Sequence, residues 1–250
     1  MPLWAEAGWW GLLAGSALVV GAAVGWWVRV PAQVVAGVMA FGSGVLLAAM
    51  AFELVDEAER FGGLTATAVG FLAGALCYVA ANTLLARYGA QHRKRSGRQQ
   101  PSEAQAQGSG IALAVGALLD GIPESVVLGL SLLGGDGIGF TVLAAVFVSN
   151  VPEGLSSATG MKQAGRSAGY VFGVWGGIAA VSGLAALVGN LALAEAPPAA
   201  VAAITAVAAG AILTMVADTM IPEAFARTHV LTGLVAAVGF LLAFTLERVG

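Results

Sequence analysis

The chain has 250 residues, of which 58% are hydrophobic and 10% charged, with a net charge of −3 and a mean hydropathy of +0.87. These values lie outside the range of soluble domains and mark a polytopic membrane protein. The few bases are not gathered on a foldable soluble part, which argues against nucleic acid as a partner, and the single cysteine, Cys77, excludes an internal disulfide.

A bilayer core asks for about 20 apolar residues per helix, and eight windows meet that requirement, near 8–28, 33–55, 63–87, 109–133, 138–161, 168–193, 198–221 and 229–247. The expected fold is therefore an all-α integral membrane protein of eight transmembrane helices, one domain over residues 1–250, with both termini on the same side. Met1 to Gly8 carries Glu6 and no base, and the first window is too long for a signal core, so it reads as a retained span. Trp4, Trp9 and Trp10 near one end of this span and Trp26 and Trp27 near the other fit interfacial aromatic belts. Cys77 sits inside the third window and reads as a packed thiol. One connection is long: residues 88–108, rich in Arg, Gln, Ser and Gly, read as a flexible polar loop.

Arg29, Arg87, Arg93, Lys94, Arg95, Arg98, Lys162, Arg166 and Arg227 fall on one face and only Arg60 and Arg248 on the other. The basic face is expected to be cytoplasmic, with both termini outside, in the cell membrane. The opposite loops hold Glu6, Asp56, Glu57, Glu59, Asp136, Glu195 and Glu247. Such an acidic surface either concentrates cations or merely solvates the loops.

A repeat is visible when the chain is laid on itself. Gly44 through Ala58 aligns without gaps with Gly210 through Ala224, agreeing at Gly44, Leu47, Ala51, Glu57 and Ala58, and Val69-Gly70-Phe71-Leu72 recurs as Val238-Gly239-Phe240-Leu241. This makes spans two and three the counterparts of seven and eight. Their odd offset reverses the orientation, giving an inverted repeat in a 3+2+3 arrangement around spans four and five.

Those central spans carry the chemistry. Asp120-Gly121-Ile122-Pro123-Glu124 and Ser149-Asn150-Val151-Pro152-Glu153-Gly154 each lie near mid-span, where carboxylates are costly and are retained for a use. Asp120 and Glu124 share a helix face, as do Ser149, Asn150 and Glu153. The short Gly-rich turn between the two spans makes them antiparallel neighbours whose phrases meet at one depth. Pro123 and Pro152 free the carbonyls of Leu119 and Val148. Carboxylates with an amide and a hydroxyl suit a divalent cation, with magnesium, manganese, iron(II) or calcium favoured over zinc on softness grounds. Glu53 at the outer end of span two, and Asp218 and Glu223 at the inner end of span seven, either bracket a path for the ion or are interfacial carboxylates.

These phrases resemble those of the ZIP family of divalent metal transporters, whose fourth and fifth spans carry His-Asn-x-Pro-Glu-Gly-type sequences. Asn150, Pro152, Glu153 and Gly154 match the span-five phrase, and Pro123 and Glu124 match span four; the family's histidines fall on Asp120 and Ser149, and its span-four asparagine on Gly121. The resemblance implies Glu124 and Glu153 as bridging ligands, Asp120 as a terminal ligand, Asn150 as a ligand at a second metal position, a homodimer, and zinc or an iron-like metal as cargo moved into the cytoplasm. No covalent chemistry and no resident cofactor are needed, so the protein reads as a non-enzyme whose partners are the metal ion and the bilayer. Rival readings are a proton-coupled carrier of an organic cation, for which no aromatic cage stands near the phrases, an intramembrane hydrolase, for which a His-Glu-x-x-His helix is lacking, and an assembly subunit.

Overall fold

The structure, a computed structural model, describes residues 1–88, 109–134 and 139–249. The expected loop, from residue 89 to 108, and Asp136 lie outside the described residues. Among those described, every regular element is helical: α1 (Leu3–Trp27), α2 (Ala32–Ala49), a π-helical turn (Met50–Val55), α3 (Asp56–Ala86), α4 (Ser109–Ser131), α5 (Phe140–Gln163), α6 (Ala168–Leu193), α7 (Pro198–Met215), a second π-helical turn (Val216–Met220), α8 (Ile221–Thr228) and α9 (Leu231–Val249). The breaks follow local chemistry. Pro31 and Pro197 precede α2 and α7, where a missing N–H costs nothing, and the Ser167 hydroxyl caps α6 by accepting from the Tyr170 N–H.

Among the described residues, six continuous helices are long and apolar enough to cross a membrane, against eight windows in the sequence. The difference has two sources. The stretch Ala32–Ala86 runs as one 55-residue helix, which at about 1.5 Å per residue is more than twice the bilayer core; it is broken at Gly63, whose φ of 74° is the left-handed region that suits a residue without Cβ. α5 is long enough at 24 residues, but Ser149, Asn150, Glu153, Ser156 and Ser157 dilute its apolar character.

Packing between helices rests on close backbone approach, since lipid is as apolar as leucine and association must come from van der Waals contact and hydrogen bonds. α1 lies between α5 and α6, α3 packs along α7, α2 along α9, and α4 along α6. At these crossings glycine is required. A Cβ on Gly44 of α2 would lie 1.9 Å from the Ala236 carbonyl of α9, and one on Gly210 of α7 1.9 Å from the Phe71 carbonyl of α3. The contact order gives directions. Asn150 meets Ala14, Gly154 meets Leu18 and Lys162 meets Trp26, so α5 runs parallel to α1. Gly121 meets Ser182 and Asn190 meets Gly129, so α4 runs parallel to α6. Gly8 meets Leu187 while Gly15 meets Ala179, so α1 and α6 are antiparallel. α4 and α5 are thus antiparallel, as expected.

They are not close neighbours, however, and touch only slightly. The short connection by itself predicts neighbours, whereas helix separation is set by side-chain size. Glycines let α4 and α5 sink onto α6 and α1, while Val142, Val146 and Glu124 stand toward the space between them. Around that space one apolar cluster gathers Met39, Leu46, Leu54, Leu128, Ile212 and Met215, and a second, on the α1 side, gathers Leu18, Ala22, Met161, Val171, Trp175 and Ile178. Cys77 is exposed on α3 instead of packed.

Candidate functional site

Pro123 and Pro152 both lie inside continuous helices, α4 and α5. The polar groups around them are interior. Ser149, Asp120, Glu124, Glu153 and Asn150 are between 1% and 5% exposed. Inserting a carboxylate at mid-bilayer costs about 3 kcal/mol on the mildest scales, so three of them buried in two helices demand local partners.

For Asp120 and Asn150 the partner comes from a neighbouring helix. Asp120 accepts a 2.5 Å hydrogen bond on Oδ1 from the hydroxyl of Tyr78 on α3, itself buried. Asn150 donates from Nδ2 to the Ala14 carbonyl at 3.0 Å, tying α5 to α1 and fixing the orientation of its amide. The Ser149 hydroxyl donates to the Val146 carbonyl of its own helix, while its backbone lies against Gly42 of α2. Glu124 lines a small cavity of about 10 Å³, walled by Met50 and Leu54, Val142 and Val146, and Ile212. That volume is near the size of one water-sized probe. Ser125 returns its hydroxyl to the Gly121 carbonyl.

The structure therefore buries all five sequence-chosen residues. Among the described residues, no group of three or more His, Cys, Asp or Glu stands close enough to hold a metal ion. Glu124 faces α2, α5 and α7, Asp120 faces α3, and Asn150 faces α1.

The outlying carboxylates separate by role. Asp218 is exposed in the second π-helical turn, and Glu223, one turn into α8, is buried. Glu53 lies in the first π-helical turn and reaches the start of α5: it accepts a hydrogen bond from the Val142 N–H, and its Oε1 occupies the space a Cβ would fill on Gly139. Its Oε2 is buried without a hydrogen-bond partner. A carboxyl group there satisfies an otherwise orphan N–H of the first turn of α5.

Two cavities approach the phrases from opposite ends. One, of about 260 Å³, is lined by Glu57, Phe61, Leu130, Leu133, Pro198 and Thr205 among others. The other, of about 140 Å³, is lined by Val30, Val35, Leu155, Thr159, Gln163 and Arg227. The rise from Glu124 to Leu130 along α4, and from Glu153 to Thr159 along α5, is about 9 Å in each case. The second cavity opens at the end of the bundle where Lys162 donates to the Trp26 carbonyl; Glu53 feels the charges of Glu57 and Glu247 at the first. Lys162 and Arg227 thus stand at one end of the bundle, and Glu53 and Glu57 at the other.

Sequence reasoning missed Tyr78 and the reach of Glu53 to α5. A signal for Tyr78 existed, since a tyrosine in mid-span needs a partner for its hydroxyl. The pairing of Glu53 with Gly139 had none, because it joins residues far apart in the chain. No protein-family model matches the chain, and comparison with curated proteins finds no match.

Proposed function

We propose that the protein is an eight-span carrier of divalent cations, similar in plan to the ZIP transporters, with the cargo held between α4 and α5. The observation that carries this reading is the burial of Asp120, Glu124, Asn150 and Glu153 on two proline-containing helices at the centre of the bundle. A divalent ion offsets the repulsion between the carboxylates that bind it, which an apolar interior otherwise makes costly. Glu124 and Glu153 supply the charge and Asp120 a further oxygen. Asn150, oriented by Ala14, and Ser149 offer neutral oxygens. Because the helices bearing the two glutamates touch only slightly, the cation draws α4 and α5 together when it binds.

Two backbone breaks support eight spans: the one at Gly63, inside Ala32–Ala86, and the one at His229, between α8 and α9, also at positive φ. These breaks, and the two π-helical turns at Met50 and Val216, recur at the offset of the sequence repeat. Packing recurs likewise, α2 with α9 answering α7 with α3, and α5 with α1 answering α4 with α6. This favours the inverted 3+2+3 arrangement, in which a site between the repeats is exposed to each side in turn. The acidic end faces outside with both termini, the basic end faces the cytoplasm, and the ion passes inward from the Glu57 cavity to the Arg227 cavity. A homodimer, the cell membrane as location and zinc, iron or manganese as cargo follow from the resemblance.

Uptake into proteoliposomes from a panel of divalent cations tests the reading. Glu124→Gln and Glu153→Gln preserve shape and remove one charge each, so each is expected to abolish saturable uptake while the protein still inserts. Full uptake by either variant would refute it.

A further inference from the structure

We propose that Tyr78 is a positioning residue that determines which divalent cations Asp120 accepts, an inference that rests on reading Asp120 as a cation ligand. Tyr78 belongs to α3, whose principal packing partner is α7 and which touches α4 only slightly. Yet its ring is among the largest side chains fully enclosed by protein, and its hydroxyl crosses to α4 to donate to Asp120 Oδ1. Shape alone does not account for this choice, because phenylalanine fills the same space without importing a hydroxyl that must be satisfied away from water. A neutral donor on a carboxylate makes a charge-assisted bond, stronger than an ordinary one and specific in direction.

The consequence concerns coordination. One of the two Asp120 oxygens already shares its charge with a buried phenol, so a cation that takes both oxygens must bind one that Tyr78 has weakened as a ligand. Calcium takes six to eight oxygens and commonly claims carboxylates in bidentate fashion, whereas smaller divalent ions are content with one oxygen from each carboxylate. Tyr78 therefore penalises calcium and leaves zinc or manganese little affected. Since softness sets no strong barrier to calcium in an oxygen-only site, this bond supplies a barrier by geometry.

The test is zinc uptake by proteoliposomes with calcium as competitor, in the parent and in Tyr78→Phe. The expected result is that calcium competes about tenfold better in the variant, the effect of removing one hydrogen bond to a charged group, while the KM for zinc changes little. An unchanged calcium-to-zinc ratio would overturn the proposal. In an Asp120→Asn background the Tyr78→Phe effect should vanish; its persistence would place the cause elsewhere. A role in stability alone would lower thermal resistance and leave the ratio where it was. Should Tyr78→Phe fail to accumulate, Tyr78→Gln, which keeps a donor, is compared with Tyr78→Met, which has none, and equal ratios in the two would overturn the proposal. The outcomes separate the two levels of argument: a parent without Glu124-dependent uptake sinks the cation site itself, whereas Glu124-dependent uptake with an unmoved ratio sinks only the role of Tyr78.

Discussion

Gly154 closes the span-five phrase, and the structure gives it a measurable packing role. A Cβ at this position would stand 2.1 Å from the Leu18 carbonyl oxygen of α1, whereas carbon and oxygen need about 3.3 Å. Gly154→Ala must therefore part α1 and α5 by about 1 Å. The overlap is with backbone, which cannot rotate away, so the strain falls in the range of about 1–3 kcal/mol seen for overpacked interiors. The same displacement stretches the Asn150–Ala14 hydrogen bond, now 3.0 Å, beyond bonding range, adding about 0.6 kcal/mol, the mean for such bonds in membranes. The total is about 2–4 kcal/mol. The assay is reversible unfolding in mixed detergent, with Gly169→Ala as reference because nothing lies within 4 Å of a Cβ there. Asn150→Ala provides an internal check: its cost should nearly disappear in the Gly154→Ala background, since the bond is already lost. A Gly154→Ala variant as stable as Gly169→Ala, or full additivity with Asn150→Ala, would refute the close α1–α5 crossing.

Two further outcomes are expected. Glu53→Ala removes the carboxylate that meets the start of α5; a loss of about 1 kcal/mol, typical of a helix-capping contact, should appear together with faster hydrogen exchange at the Val142 amide, and unchanged exchange there would show that Glu53 does not hold that helix end. In a background where Cys77 is replaced by Ser, a cysteine at Arg166 should react with an impermeant thiol reagent only from the cytoplasmic side, and one at Glu195 only from outside; labelling of both from one side would break the alternation of spans.

The chain stated its solvent plainly. Apolar windows of bilayer length, bases gathered between alternate windows and tryptophans at the window ends are local properties, and they led to an all-helical membrane bundle with its polar phrases inside. Burial of Asp120, Glu124, Ser149, Asn150 and Glu153 was legible for the same reason, because polar side chains avoid lipid whatever the tertiary arrangement. The π-helical turns at Met50 and Val216 fall at matching positions when Gly44–Ala58 is aligned with Gly210–Ala224. What each helix packs against was not. In lipid an apolar residue is equally at home facing protein or acyl chains, so hydrophobicity could not tell that Cys77 is exposed while Tyr78, its neighbour, is enclosed. Nor could loop length tell that α4 and α5, joined directly, would settle on α6 and α1 instead of on each other. Backbone approach decides that, and it depends on which glycine meets which carbonyl: Gly154 with Leu18, Gly129 with Ala186. Such pairs become visible only when helices distant in sequence are brought together, and with them come the hydrogen bonds that orient the central groups, Tyr78 to Asp120 and Asn150 to Ala14.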